Sequence, residues 1–302
     1  MNIRSIQDSA LRYFYEVVRY GSISAAAQHL HVAASAISRQ ISSLEQSLGT
    51  PLFERHPRGM IPNAAGEALA AHARRVFLDA EKTMQEIHAL HGLNVGRVRI
   101  AASEGLATCF LPQHISEFRQ RHQGILFDVN VQPPHIISEQ LRKGDVDIGF
   151  QFTRLSEKDL HVLYRQDAPV LALTPPNHPL GRSKRITLAT LLSYPLALPD
   201  VHTTVRQLLE VACSAQQLSL QPVFSSNNMN SLHQFVLAGG GVSVSAEISA
   251  RHLLNQGLMQ AVLIQEPVLL NRQIEVQVLA GRHLPNAVQT FVDFILPRLQ
   301  TP

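Results

Sequence analysis

The chain has 302 residues but only two cysteines and no tryptophan. Cys109 and Cys213 lie far apart without a CxxC partner. That spacing excludes a disulfide framework and a cysteine-based zinc site, and leaves two reduced, semi-buried thiols as the expectation. Long apolar runs are also missing. No stretch approaches the roughly 18 apolar residues of a membrane span. The opening MNIRSIQDSALRYFYE lacks the charged-then-apolar layout of a secretory signal, so a cytoplasmic location is expected. Lysine is absent before Lys82. The bases there are Arg4, Arg12, Arg19, Arg39, Arg55, Arg58, Arg74 and Arg75. Arginine carries a planar donor fork that fits phosphates and guanine edges, although a solvated surface explains scattered arginines equally well.

A chain of this length predicts two domains, because single cores rarely grow past about 250–300 residues. Near the N-terminus, Leu11, Phe14 and Val18 fall at helical spacing, and Tyr20-Gly21-Ser22 breaks the run. Ser24 is the expected cap of a second short helix, AAAQHL, with a turn at His31-Val32. A third run places Ile37, Ile41, Leu44 and Leu48 on one buried stripe, and Gly49 supplies its stop. Opposite that stripe stand Ser35, Ser38, Arg39 and Ser42. Small hydroxyl side chains let a helix lie deep in a major groove, and one arginine can reach guanine O6 and N7. A solvated serine face is the plainer reading of the same pattern. The order of elements favours DNA: a short helix, a turn and a longer helix form a helix-turn-helix, with the longer helix as reader.

Pro51-Leu52-Phe53 and Met60-Ile61-Pro62 flank ERHPRG and predict a β-hairpin, a wing that sets Arg55 and Arg58 against the DNA backbone or minor groove. Asn63 is the expected cap of a long helix running from Ala64 to about Leu90. Its Leu69, Val76, Met84 (or Thr83), Ile87 and Leu90 approximate a heptad seam, which a second copy of the chain would cover.

From Gly96 the texture changes. VRIAAS, FDVNVQ, DVDIGFQF, VLALTP, LALPD, PVFSS and VSVSA are short β-rich runs. They alternate with amphipathic stretches such as LPQHISEFRQRH, TVRQLLEVACSAQQL and MNSLHQFVLAGG, which predicts βαβ units and mainly parallel sheets. The stretch from Gly92 to Gly96 is the clearest linker.

These features together resemble the LysR-type transcriptional regulators, from about Leu11 to the end of the chain. GSISAAAQHLHVAASAISRQISSLEQSLGTPLFER is similar to the family's winged helix-turn-helix almost throughout, and PRGMIPNAAGEALAAHAR to its wing and linker-helix entry. LALTPPNHPLGRSKRITLATLLSYPLALPD resembles the second half of the family's effector domain. Two departures stand out. Ala33 and Ala34 occupy the place beside the first serine where the family often has Gln or Pro, which removes one direct base contact. Pro62-Asn63 replaces the usual Leu-Thr before the linker helix.

The resemblance implies an α/β protein with an N-terminal all-α winged helix-turn-helix (1–63), a long dimerising linker helix (64–92) and an effector-binding domain (93–302). That last domain would resemble periplasmic binding proteins, with two subdomains crossed twice by the chain: the first near 93–165 plus 267–302, the second near 166–266. Ligands in such folds sit at the carboxyl ends of strands and near helix N-termini. This rule selects Ser103, Thr153, Thr203, Thr204, Arg206 and Asn228 as effector contacts, with Arg206 a candidate for a ligand carboxylate. Each hydroxyl or amide could equally cap its own helix or loop, and Arg206 could serve in a surface salt bridge.

No catalytic constellation is visible, so no enzyme activity and no cofactor are expected. His29 and His31 straddle a turn and His88 and His91 lie three apart, which gives no HExxH metal spacing. Gly239-Gly240-Gly241 follows a helix and precedes a strand, the reverse of a phosphate loop. Asp145 and Asp147 are expected to cap or to face solvent. The expected function is therefore a sequence-specific transcriptional regulator modulated by a small-molecule effector, an anionic or polar metabolite, in a homodimer or homotetramer on promoter DNA. RNA polymerase is a further expected partner, and no membrane partner is expected. The alternative is a ligand-binding protein whose DNA reader is degraded or non-specific.

Overall fold

The computed structural model describes residues 9–56, 59–90, 95–153, 157 and 159–300. The chain divides into two compact units: residues 1–93 with 282–286, and 94–281 with 287–302.

The N-terminal unit begins with α1 (Ser9–Tyr20), which buries Phe14, Tyr15 and Val17. Gly21 turns the chain with a φ of 64°. The cap of α2 (Ile23–Leu30) is Ser22, not Ser24: the Ser22 side chain accepts from the Ala25 N–H. The helix starts at Ile23, so Ser22 stands at the N-cap position and Ser24 already lies inside the first turn. His31, at a φ of 55°, closes α2 and makes the turn. Helix α3 (Ala34–Leu48) follows, and Gly49 caps it in the left-handed region at 69°. Ile37 and Ile41 are buried with Phe14, Leu30 and Phe53, and Leu44 packs at the edge. Leu48 is 50% exposed. The expected stripe thus ends one turn early, where the helix runs past the core.

Strands β1 (Phe53–His56) and β2 (Gly59–Pro62) pair antiparallel as a hairpin. Asn63 caps α4 (Ala64–Leu90), its Oδ1 accepting from the Gly66 N–H at 2.9 Å. Gly66 has to be glycine, since a Cβ there would lie 2.1 Å from the Leu52 carbonyl oxygen. Ala70 and Ala73 join the core, and Phe77 packs edge-on against Tyr15. Along the expected seam, Leu69, Val76 and Ile87 are half-buried and Met84 is buried; the Leu90 side chain lies outside the described residues.

The second unit starts with β3 (Gly96–Ala102), α5 (Glu104–Ala107) and α6 (Phe110–Arg121), then β4 (Ile125–Val131), α7 (Pro134–Lys143) and β5 (Ile148–Thr153). β6 (Leu160–Asp167) completes the chain's first passage through this half. The chain then crosses over at Ala168 and builds a second half. This comprises β7 (Leu171–Thr174), a 3-10 turn at Pro179–Arg182, β8 (Arg185–Ile186), α8 (Leu188–Leu192), β9 (Leu196–Pro199), α9 (Thr204–Ala215), β10 (Phe224–Ser226), α10 (Met229–Leu237), β11 (Val242–Ser245), α11 (Glu247–Asn255) and β12 (Gln260–Ile264). It returns through α12 (Pro267–Leu270) into β13 (Gln273–Leu279) and ends with α13 (Asn286–Gln300).

The first sheet has the order β4-β3-β5-β13-β6, and the second β10-β9-β11-β7-β12-β8. Both are mainly parallel, as expected, but each carries one reversed strand. β3 pairs parallel with β4 and β5, whereas β13 runs antiparallel to β5 and β6. In the second sheet β7 runs antiparallel to β11 and β12. The reversed strands are β7 and β13, the ones by which the chain enters each half from the other. A strand that arrives from the other sheet enters from the opposite end and needs no βαβ crossover. The two passages are tied together: Ala168 N–H donates to the Arg272 carbonyl (2.7 Å) and Val170 N–H to that of Leu269 (2.9 Å).

Each half has its own apolar core. Phe118, Phe127 and Phe291 meet edge-on in the first, while Leu198, Leu208, Leu209, Val244 and Ile264 lie in the second. Asp147 does not face solvent. It is 1% exposed and grips Arg99, accepting from its backbone N–H (2.7 Å) and from its guanidinium (2.8 Å). The strand-start position was legible; the arginine waiting on the neighbouring strand was not.

Candidate DNA-reading face and effector cavity

On α3 the burial of Ile37 and Ile41 decides which side faces out. Ser35, Arg39 and Ser42 are exposed and Ser38 is half-exposed. Arg39 lays its side chain along this face, its Nε donating to the Ser35 carbonyl at 3.3 Å. One surface therefore carries three hydroxyls and one guanidinium on a rigid helix, a set able to bond phosphates and base edges. Arg55 belongs to β1, but its side chain lies outside the described residues, as does the whole of Arg58.

The second unit holds a cavity of about 350 Å³. Its wall is built where parallel strands end. β3 delivers Ser103, β4 delivers Val131 and the Gln132-Pro133-Pro134 turn, and β5 delivers Phe152. From the other half, β9 contributes Pro199 and Asp200, the α9 N-terminus Thr203 and Thr204, and the β10–α10 junction Asn227 and Met229. Carboxyl ends of strands from two sheets thus converge on one space, the arrangement in which α/β folds hold ligands.

The candidate effector residues divide accordingly. Ser103, Thr203 and Thr204 line this cavity. Ser103 Oγ accepts from the Phe152 N–H at 3.4 Å. Thr203 Oγ1 donates to the Asp200 carbonyl (2.8 Å) and accepts from the Arg206 N–H (3.3 Å), so it is already engaged as a cap. Thr153 lies on an adjoining shallow depression with Thr204, Asp167 and Gln273. Asn228 caps α10 through the Ser231 N–H, while its neighbours Asn227 and Met229 reach the cavity. Arg206 lies off the wall, its Nε bonded to Glu210 at 2.8 Å.

Two wall residues carry charge that sequence reasoning passed over. Glu104 accepts the Met229 N–H on the other half of the unit at 2.6 Å, and burial pushes its carboxyl above the usual range against the lowering effect of that bond. Arg272 stands between α12 and β13, 4% exposed, its guanidinium 3.7 Å from the centre of the Phe152 ring. Its Nε and Nη1 have no hydrogen-bond partner among the described residues, and burial lowers it to about 9. The available signal was an arginine at the head of QIEVQVL, whose alternation of polar and apolar residues marks a strand.

A second cavity, of about 510 Å³, contains Cys109, whose Sγ lies 3.5 Å from His252 Nε2. Burial raises the Cys109 pKa, which favours the unreactive thiol over the thiolate. Cys213 is buried, and its pKa is likewise raised by burial. Among the described residues no cluster of His, Cys, Asp and Glu could hold a metal ion, and no helix is long and apolar enough to cross a membrane.

A winged helix-turn-helix joined to a two-lobed α/β unit with a cavity at its strand ends defines a class: DNA-binding regulators with a built-in small-molecule sensor. Residues 9–67 match the model of the bacterial regulatory helix-turn-helix protein, lysR family, and residues 91–300 match the LysR substrate binding domain. The chain belongs to the LysR family of transcriptional regulators: it binds DNA and its activity is modulated by an effector. It is 30% identical to the "Probable HTH-type transcriptional regulator LrrA" of Synechococcus elongatus, over 98% of this chain and 96% of that protein. It is 27% identical to the "Probable RuBisCO transcriptional regulator" of Cyanidioschyzon merolae, over 95% of this chain and 96% of the relative. Among solved structures, a full-length OxyR variant from Pseudomonas aeruginosa superposes with a TM-score of 0.68 at 22% identity, covering 98% of this chain and 94% of that one, a likeness of fold.

Proposed function

We propose that α3 enters the major groove of promoter DNA, with Ser35, Ser38, Arg39 and Ser42 as its contacts and Arg55 and Arg58 holding the backbone from the wing. The observation that carries this reading is the division of α3 into a buried Ile37/Ile41 side and an exposed serine–arginine side. α4 pairs two chains through its seam, as a homodimer or as half of a homotetramer in the cytoplasm. The effector occupies the cavity at the strand ends, against Ser103, Thr203 and Thr204, with Thr153 at its margin. Closing the two halves on the ligand favours one arrangement of the paired DNA-binding domains and so alters promoter geometry and access for RNA polymerase. The ligand can shift that equilibrium only by its differential affinity for the two arrangements. The chain performs no catalysis on the effector.

Recovery of genomic fragments with the purified full-length protein at two salt concentrations tests this. The expected result is one or a few pseudo-palindromic sites with a steep salt slope. Diffuse recovery independent of sequence would replace the reading with that of a ligand-binding protein carrying a degraded DNA reader.

A further inference from the structure

We propose that the effector is a small organic carboxylate, a monoanion with an apolar body, and that Arg272 receives its carboxylate. The inference rests on the reading that the effector occupies the strand-end cavity. An ionised guanidinium taken out of water is costly unless a counter-charge and hydrogen bonds replace the water. Arg272 is 4% exposed, lines the cavity, and has neither: its Nε and Nη1 are unpaired among the described residues and no carboxylate forms an ion pair with it. The face of Phe152 offsets part of the cost but accepts no N–H bond in the plane of the fork. A planar, bidentate anion in the cavity would complete the site.

The charge count limits the ligand to one negative charge. Among the described residues Arg272 is the only lysine or arginine on the wall, which it shares with Glu104, Asp200 and His202. Both acids are engaged elsewhere, Glu104 by the Met229 N–H and Asp200 by the His202 N–H at 2.9 Å. Two carboxylates against one guanidinium repel a dianionic phosphate ester, whereas a carboxylate monoanion is tolerated. The remaining wall is largely apolar, with Val131, Pro133, Pro199 and Val205 among its residues, and so suits a hydrocarbon body. Arg272 also stands on the return passage between the halves, its carbonyl bonded to Ala168 on the outgoing passage. A carboxylate held there acts at the hinge of closure.

The test is calorimetric titration of the full-length protein with propionate, butyrate and hexanoate, their neutral amides, and methyl phosphate. Wild type is compared with Arg272→Met, Arg272→Lys and Thr204→Trp. The expected result is carboxylate binding at least about tenfold tighter than amide binding, as a charge-assisted fork predicts, with methyl phosphate weaker than the carboxylates. Arg272→Met abolishes the preference and melts no lower than wild type in the absence of ligand, because it removes an unpartnered buried charge. Arg272→Lys retains part of the preference. Equal binding of amides, tighter binding of methyl phosphate, preference surviving in Arg272→Met, a lowered melting temperature of that variant, or no carboxylate binding at all would each overturn the proposal. Thr204→Trp separates the two levels. If it blocks amides that bind without any preference, the cavity reading stands and the carboxylate falls. If carboxylates bind and it leaves them untouched, the cavity reading falls as well.

Discussion

Arg39 and Arg272 are both arginines without an acid partner among the described residues, and they stand in opposite surroundings. Arg39 is exposed on one continuous helix, where water stabilises its charge at no cost to folding. Arg272 is buried between two strand passages, where the same charge works against folding until something fills the cavity. A DNA reader can wait fully solvated, because its partner is long, charged and brings its own hydration. A sensor for a small molecule gains by holding an unsatisfied group ready, because only a ligand that satisfies it repays the cost. The two regions differ in the same way in construction: the reading face comes from eight consecutive residues of one helix, the cavity from segments spread between Ser103 and Arg272.

The comparison breaks most severely if one region is unfolded and the other left. Phe14 is fully buried and packs 5.2 Å from Phe53. Phe14→Ala is expected to destabilise the N-terminal unit by about 3–5 kcal/mol, abolishing DNA binding in fluorescence anisotropy while titrations of the effector cavity stay unchanged. Loss of both would mean that the two regions do not fold independently. The reciprocal change is Asp147→Ala, which strips Arg99 of its charged partner in the first sheet. A cost of about 1.5–3 kcal/mol in denaturant unfolding is expected, with the N-terminal unit's own transition unaltered.

Arg39→Ala sharpens the contrast instead. Losing one guanine contact is expected to weaken operator binding by about 1–3 kcal/mol and to relax specificity at one base pair, while the melting temperature holds. A uniform loss across all sequences would reassign Arg39 to the phosphate backbone. The smallest effect concerns Glu104, whose carboxyl is held above its usual range chiefly by burial. An acid whose folded pKa is raised binds its proton more readily folded than unfolded. Its penalty is therefore absent below the usual carboxylate range and grows as pH rises through the folded value. Glu104→Gln keeps an acceptor for the Met229 N–H and is expected to raise stability slightly at neutral pH but not in acid; thermal melts across pH read the difference.

Much of the N-terminal unit was legible because its signals are local. A period of 3.6 marks α3, Gly49 ends it, Asn63 opens α4, and ERHPRG turns the hairpin. Errors there were small and came from competition between neighbours, as with Ser22 and Ser24, or from a helix outrunning its core at Leu48. The second unit was harder. LHVLYRQD and QIEVQVL were not read as strands, yet β6 and β13 join the halves and run antiparallel to their neighbours. Nothing in either segment announces which strand it will meet. Asp147 illustrates the same limit: its partner, Arg99, is 48 residues away in sequence.

The sequence alone determined the alternation of elements, the two faces of α3 and the chemistry available on the exposed one, since helix periodicity fixes which side chains share a side. Only the tertiary structure decided which side chains line the strand-end cavity. It moved Arg206 off the wall to Glu210, left Asn228 as a cap, and brought Glu104 and Arg272 to a common space. Burial is a property of the assembled sheets. An arginine at the start of a strand becomes an unpaired interior charge only when two distant strand passages and the ring of Phe152 close around it.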